Sequence, residues 1–267
     1  TGNVSARATG FDGIFSGSSV TVNVTQPALT VSDDFFGDNR IGVNLQKSYR
    51  VTLGGSDHGG VTVNVQSDNA ALLLSPDATT AGSNSIDVFI ASGQSTSQTF
   101  YIHGVSEATG VTLTATQALF STASNTIDVV PSVLQILSLG TTINTLSPDD
   151  PFNVRTGYIH PNGSTFREVP PSATSGAITV TLSSDNTAVG RLVTGAATGS
   201  PVTVQVPVNS ARSPTSVATG GVALEPLAQG AVNVMATSTG FNGVYSGSSV
   251  VVNVTQPVIT MADNWQG

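Results

Sequence analysis

An all-β fold built from sandwiches in series is what this 267-residue sequence predicts, and three observations carry that expectation. The first is a long internal repeat. Residues 9 to 37, TGFDGIFSGSSVTVNVTQPALTVSDDFFG, return at 239 to 267 as TGFNGVYSGSSVVVNVTQPVITMADNWQG, an offset of 230 residues from Gly10 to Gly240. Self-similarity at a fixed period marks an array of like units. The second is composition: charged residues make up 9% and hydrophobics 39%, and Gly, Ser, Thr, Val and Asn dominate, which suits short strands and tight turns. The third is strict alternation. Val20, Val22 and Val24, and again Val61, Val63 and Val65, sit at every second position, which gives a strand one buried and one wet face. No run has the helical period.

Taken in order, residues 1–26 predict the C-terminal hairpin of a preceding unit. Its strands, 2–8 and 18–25, flank Asp12-Gly13, a good turn pair because glycine accepts positive φ without a steric cost. Two strands alone do not make a stable fold, so this hairpin needs other strands, supplied in cis or by a neighbouring chain. Gln26-Pro27 opens a linker, since proline cannot donate to a ladder and keeps the chain extended.

Residues 27–131 predict a first sandwich, with strand material at 28–32, 41–46, 49–54, 59–68, 83–92, 95–104, 110–117 and 124–131. About seven strands at short spacing is the count of an immunoglobulin-like sandwich. Residues 132–257 predict a second, with insertions. AITVTLSSDNTAVGRLV (177–193) mirrors GVTVNVQSDNAALLL, and the landmark Ser67-Asp68-Asn69 recurs as Ser184-Asp185-Asn186, 117 residues on from Asp68 to Asp185. Residues 258–267 begin the next repeat. The fold class expected is therefore all-β, tandem immunoglobulin-like β-sandwich domains arranged end to end.

Charge and composition exclude several function classes. A net charge of -8 and only 8 Lys and Arg oppose nucleic-acid binding, which needs clustered cations to displace counterions from phosphate. With 0 Cys, neither a disulfide framework nor a thiolate metal site can form. No apolar run approaches the roughly 18 residues of a membrane span, and no basic-then-apolar signal opens the sequence, as expected of a segment from within a larger protein.

The strand sequences themselves carry a resemblance. VTVTLSSDN, followed by a Val-rich alternating strand, a Ser/Thr-rich strand such as QSTSQTFYI, and then GVTLTAT, resembles the bacterial immunoglobulin-like tandem repeats of large cell-surface proteins, over residues 27–257 in two copies. The resemblance implies an extracellular or cell-surface stalk, adhesin or envelope polymer, and no catalytic residues. The Pro-rich stretch around PDDPFNVR and the Pro170-Pro171 pair depart from a minimal repeat.

Candidate chemistry concentrates at the predicted junctions. Asp33, Asp34 and Asp38 follow the linker strand, and Asp263 recurs at the position of Asp33. Clustered carboxylates at such places can bind calcium, which takes six to eight oxygen ligands. The spacing is not that of an EF-hand, and a solvated turn is the favoured reading; no cofactor is expected. Pro27, Pro131 and Pro257 mark the junctions, with Phe35, Phe36 and Trp265 as aromatic plugs between successive domains. Asp149-Asp150 reads as a capped turn. The three imidazoles, His58, His103 and His160, lie in or beside Gly- or Pro-rich turns with no nucleophile elbow, so no enzyme is expected.

The expected function is thus structural: a repeat segment forming a stalk, or a self-assembling filament or sheath. Its partners are further copies in cis, and identical chains laterally or by strand exchange. The alternative is an adhesin or a carbohydrate- or receptor-binding module using the 146–176 insertion.

Overall fold

The computed structural model describes residues 2–6, 9, 19–241 and 245–261. Among them the chain is all-β; two short 3-10 turns are its only helical elements, and no helix is long and apolar enough to cross a membrane. Asp12, Asp263 and Trp265 lie outside the described residues.

A hairpin of β1 (Gly2–Ser5) and β2 (Ser19–Val22) comes first. Nine strands follow: β3 (Leu29–Asp33), β4 (Arg40–Gly42), β5 (Gln46–Leu53), β6 (Val61–Ser67), β7 (Leu72–Ser75), β8 (Ser85–Ile90), β9 (Phe100–Gly104), β10 (Ala108–Thr116) and β11 (Ala123–Val130). They form two sheets, β3-β5-β9-β7 and β4-β11-β10-β6-β8, which share one buried core. After the single residue Pro131 the chain enters β12 (Ser132–Leu137), β13 (Thr142–Asn144), β14 (Asp150–Ile159), β15 (Phe166–Glu168), β16 (Ile178–Ser184), β17 (Gly190–Thr194) and β18 (Thr198–Gly199). β19 (Val202–Val206), β20 (Val222–Pro226), β21 (Gly230–Thr237) and β22 (Ser249–Thr255) complete it. Their sheets are β12-β14-β20-β17-β18, with β15 on the side of β14, and β13-β22-β21-β16-β19 around a second core.

The wiring is the same twice. In each sandwich the first strand pairs with the long third one, and the short second strand crosses to the other sheet, parallel to the last strand. Inward positions alternate with outward ones, as in VTVNVQS of β6, where every second side chain is buried.

Two shared devices follow from the sequence. A buried serine reciprocates with the third strand: Ser97 N donates to Val51 O at 2.9 Å and Ser97 Oγ accepts from Val51 N at 3.0 Å, while Ser213 and Val154 do the same at 2.9 and 3.0 Å. Residues 95–97 thus already touch β5, with Leu53 N donating to Ser95 O at 2.7 Å and a single Thr52–Thr96 bridge, while the continuous strand β9 starts at Phe100. The Ser-Asp-Asn landmark is the second device. Asp68 Oδ1 accepts from Thr112 N at 2.9 Å and Asp185 Oδ1 from Asn233 N at 2.8 Å, so the carboxylate ties the end of one strand to its neighbour. Leu72–Ser75, within the stretch ALLLSP, is itself a strand, because Asn69 turns the chain back toward β9.

The N-terminal hairpin has the register of β21 and β22. Gly2 faces Val22 and Val4 faces Val20, as Val232 faces Val252 and Val234 faces Val250. Burial differs sharply: Val4 is 66% exposed and Val234 0%.

Candidate functional site

The segment after β3 turns on Asp33. Its Oδ1 accepts from Phe35 N at 2.6 Å and Phe36 N at 3.0 Å, and its Oδ2 from Gly37 N at 2.7 Å. This tight turn swings Asp38 back over β5, where Lys47 lies diagonally across from Asp33. The Lys47 ammonium sits 2.5 Å from Asp33 Oδ2 and 2.8 Å from Asp38 Oδ1, and none of the three side chains is more than 3% exposed. A cation buried this deeply is tolerated only when paired and hydrogen-bonded.

The second sandwich closes the cluster. Tyr158, at the far end of β14, donates its hydroxyl to Asp38 at 2.9 and 3.0 Å, and Arg167 from β15 brings Nε to 3.4 Å from Asp38 Oδ2. That last contact is a charge pairing rather than a hydrogen bond, since Arg167 Nε has no aligned acceptor. Two cations then face two carboxylates. Phe36 lies between them, its ring centroid 5.3 Å from Lys47 Nζ and 4.6 Å from the Arg167 guanidinium.

Burial pushes the Asp33 and Asp38 carboxyls up, and the Lys47 hydrogen bond and charge, with backbone donors for both and the Tyr158 hydroxyl for Asp38, outweigh it, so both end below the ordinary carboxylate value. The same burial, with the two carboxylate charges, raises the Tyr49 and Tyr158 phenols. Tyr49 is fully buried beside this cluster, and its hydroxyl has no hydrogen-bond partner.

A second set of contacts lies alongside. Gln46 N donates to Pro170 O at 3.0 Å, Ser172 N to Asn44 O at 2.9 Å, and Ser132 Oγ to Val43 O at 2.6 Å. His103 is buried between two hydroxyls, Ser75 Oγ at 2.9 Å from Nε2 and Thr174 Oγ1 at 2.6 Å from Nδ1. Ser75 Oγ also donates to Asp77 O at 2.7 Å, so it accepts from Nε2 and leaves Nδ1 to accept from Thr174. The ring is therefore neutral, and burial lowers its pKa to about 4. Gly104 is required here, because a Cβ would run into the carbonyl of Gly42.

The sequence-predicted residues divide between this cluster and its surroundings. Asp33, Asp38 and Phe36 belong to it. Asp34 faces outward and pairs with Arg50 at 3.0 Å, and Phe35 is 79% exposed. Asp33 and Asp38 are not on the solvated turn expected for them: their carboxylates are buried with the Lys47 ammonium between them, because the turn at Asp33 folds Asp38 back over β5. Among the described residues no group of three or more His, Asp and Glu side chains is placed to hold a metal. Pro27 accepts from Ser121 N at 3.1 Å, and Pro131 and Pro257 are exposed. Asp150 caps a turn, its Oδ2 accepting from Gly140 N at 2.7 Å.

Within the 146–176 insertion, Tyr158 and residues 169–175 lie against the first sandwich. Tyr158 and Val169 are counted in its core. What faces out is a half-buried group on the second sandwich: Arg155 stacks on Phe166 at 4.4 Å, Phe166 meets Tyr245 at 5.4 Å, and Glu168 bridges Arg155 and Arg212 at 2.7 and 2.6 Å. Sequence reasoning missed Lys47, Tyr158 and Arg167. It also missed Phe241, which packs on both cores from within the repeated TGF motif.

No family model matches the chain, and no curated protein does. Among solved structures, a beta-glucuronidase from glycoside hydrolase family 2 aligns at TM-score 0.29 and 14% identity, over 88% of this chain and 21% of its own. The native conformation of E. coli alpha-2-macroglobulin aligns at TM-score 0.26 and 10% identity, over 86% and 17%. The chain spans 21% and 17% of these two structures, and likenesses this distant leave its function to its own residues.

Proposed function

We propose that this chain is a non-enzymatic structural segment of a large extracellular or cell-surface protein, made of tandem immunoglobulin-like sandwiches set end to end. In this reading it serves as a stalk or as a unit of a self-assembling filament or sheath. The observation that supports it most is the joint. Successive sandwiches are separated by Pro131 alone, and Tyr158 and Arg167 of the second close over the buried Lys47–Asp38 pair of the first. Domains within one chain ordinarily meet through loose, polar interfaces and move relative to one another; a buried ionic joint opposes bending. The exposed faces are rich in Ser, Thr and Asn, which suits lateral packing of like chains.

Sedimentation velocity across a concentration series, with electron microscopy of the same samples, tests this. A stalk segment stays monomeric and elongated, and a filament unit assembles with a repeat set by two sandwiches. A compact particle with freely varying angles between sandwiches would count against both forms.

A second reading is supported by the Phe166, Tyr245 and Arg155 group: an adhesin or carbohydrate-binding module that uses the outward face of the insertion. Sugars stack on exposed aromatic faces and bond to charged rims. Phe166→Ala with unchanged binding to a glycan panel would dispose of it.

A further inference from the structure

The Lys47 cluster has the parts of an acyl-transfer site, and its nucleophile and electrophile belong to the same chain. The Lys47 amine is the nucleophile, 2.5 Å from an oxygen of the Asp33 carboxyl. Two backbone amides, Phe35 N and Phe36 N, converge on the other oxygen, Asp33 Oδ1, at 2.6 and 3.0 Å. Paired backbone donors on one carbonyl oxygen are how acyl-transfer sites stabilise a tetrahedral intermediate. A second carboxyl, Asp38, touches the same ammonium at 2.8 Å, and Tyr158 and Arg167 hold it in place. It is the group positioned to take a proton from nitrogen and return it to oxygen. The Tyr49 hydroxyl, buried and unpartnered, stands beside the cluster.

We propose that Lys47 and Asp33 condense spontaneously into an intramolecular isopeptide bond, with Asp38 as the proton carrier. Asp38 takes a proton from the ammonium and hands it to Asp33 Oδ2, so that a neutral amine faces a neutral carboxylic acid. The free amine attacks Asp33 Cγ, forming the N–C bond, while Oδ1 carries the developing negative charge under the two amides. The Cγ–Oδ2 bond then breaks, and Oδ2 leaves as water with two protons that began on nitrogen. Ammonium plus carboxylate gives amide plus water; Asp38 ends as it began, and no oxidant or cofactor takes part. Two features favour the step. Fixing nucleophile and electrophile in contact replaces a bimolecular encounter with an intramolecular one. Burial in a pocket walled by Phe36, Tyr49 and Tyr158 disfavours the charged reactants relative to a neutral amide. The bond would weld β3 to β5 at the joint. It does not depend on the structural reading above, since it is a property of the cluster alone.

Mass spectrometry of the full chain under denaturing conditions tests it. The expected result is an intact mass lower than the sequence mass by one water, and a branched tryptic peptide joining the segments that contain Asp33 and Lys47, uncut at Lys47. A mass equal to the sequence mass overturns the proposal and leaves a buried ion pair. So does a lost water with Asp33 and Lys47 in separate peptides, as a succinimide at Asp12-Gly13 would give. Lys47→Arg keeps the charge and is expected to restore the full mass. Asp38→Asn is expected to remain uncrosslinked and Asp38→Glu to recover the bond in part; crosslinking in both at the wild-type level would remove Asp38 from the mechanism.

Discussion

The two sandwiches solve the same corner with opposite charges. Aligning Val51 with Val154, the residues that reciprocate with Ser97 and Ser213, places Tyr49 on Phe152 and Lys47 on Asp150. In the second sandwich Asp150 simply caps Gly140, and a short turn carries the chain from β12 to β13. In the first, the turn between β3 and β4 is longer and folds two aspartates inward onto Lys47. The common wiring does not require a buried charge at this position. The cluster is an addition to the fold, made where a second sandwich arrives to cover it.

The largest expected effect separates the two corners. Lys47→Ala leaves two buried carboxylates without their main counter-charge and, measured against uncondensed chain, is expected to cost about 3–5 kcal/mol, read as a lower urea midpoint. Asp150→Ala removes one half-buried acceptor and should cost about 1 kcal/mol. Equal losses would break the contrast.

Acid sharpens it next. The folded pKa of His103, about 4, lies below its ordinary 6.5. The unfolded chain therefore binds the proton first: stability is full above pH 6.5 and falls as pH drops toward 4, by a total on the order of 3 kcal/mol. In chain whose Lys47 and Asp33 are uncondensed, Asp33 and Asp38 are depressed carboxylates, so their contribution is intact above the ordinary 3.8 and is lost only as pH falls through their lower folded values. Thermal melts from pH 7 to 2 should thus decline in two stages, and His103→Gln should flatten the first alone.

Smaller effects probe what the sandwiches share. Ser97→Ala and Ser213→Ala each orphan a buried backbone N–H and should cost about 1–3 kcal/mol to similar degrees; a large inequality would undo the alignment of the two corners. Arg50→Ala breaks a half-exposed pair with Asp34 and should shift stability by about 0.5 kcal/mol or less.

Most strands were legible because they are local. Alternation at Val61, Val63 and Val65 specifies β6 without reference to anything else, and the Ser-Asp-Asn recurrence marks two equivalent corners whose aspartates make the same strand-to-strand bond. The cluster was half legible. Asp33 and Asp38 stand out in the sequence with Asp34 as an acidic run, and Phe36 with Phe35 as a junction aromatic, near the repeat boundary. Lys47 looks like any strand lysine until Asp38 and Tyr158 surround it, and Tyr158 hydrogen-bonds across 120 residues of sequence to Asp38. The sequence favours a solvated turn for those aspartates; a lysine on the next strand buries two of them instead, and no local pattern distinguishes the two arrangements. Phe35 and Phe36 are adjacent and alike in sequence; only the turn at Asp33 decides which of them goes inward.

The crossing of the short second strand in each sandwich bears on how the chain carries tension. β4 lies parallel to β11 through Arg40, Ile41 and Gly42, and β13 lies parallel to β22 through Thr142, Ile143 and Asn144. A pull entering a sandwich at its first strands and leaving by its last slides these parallel neighbours along each other. Their ladder bonds are loaded together in shear instead of being peeled one by one. Each sandwich then resists as a clasp whose grip depends on only three residue pairs, and between the two clasps the load crosses Pro131.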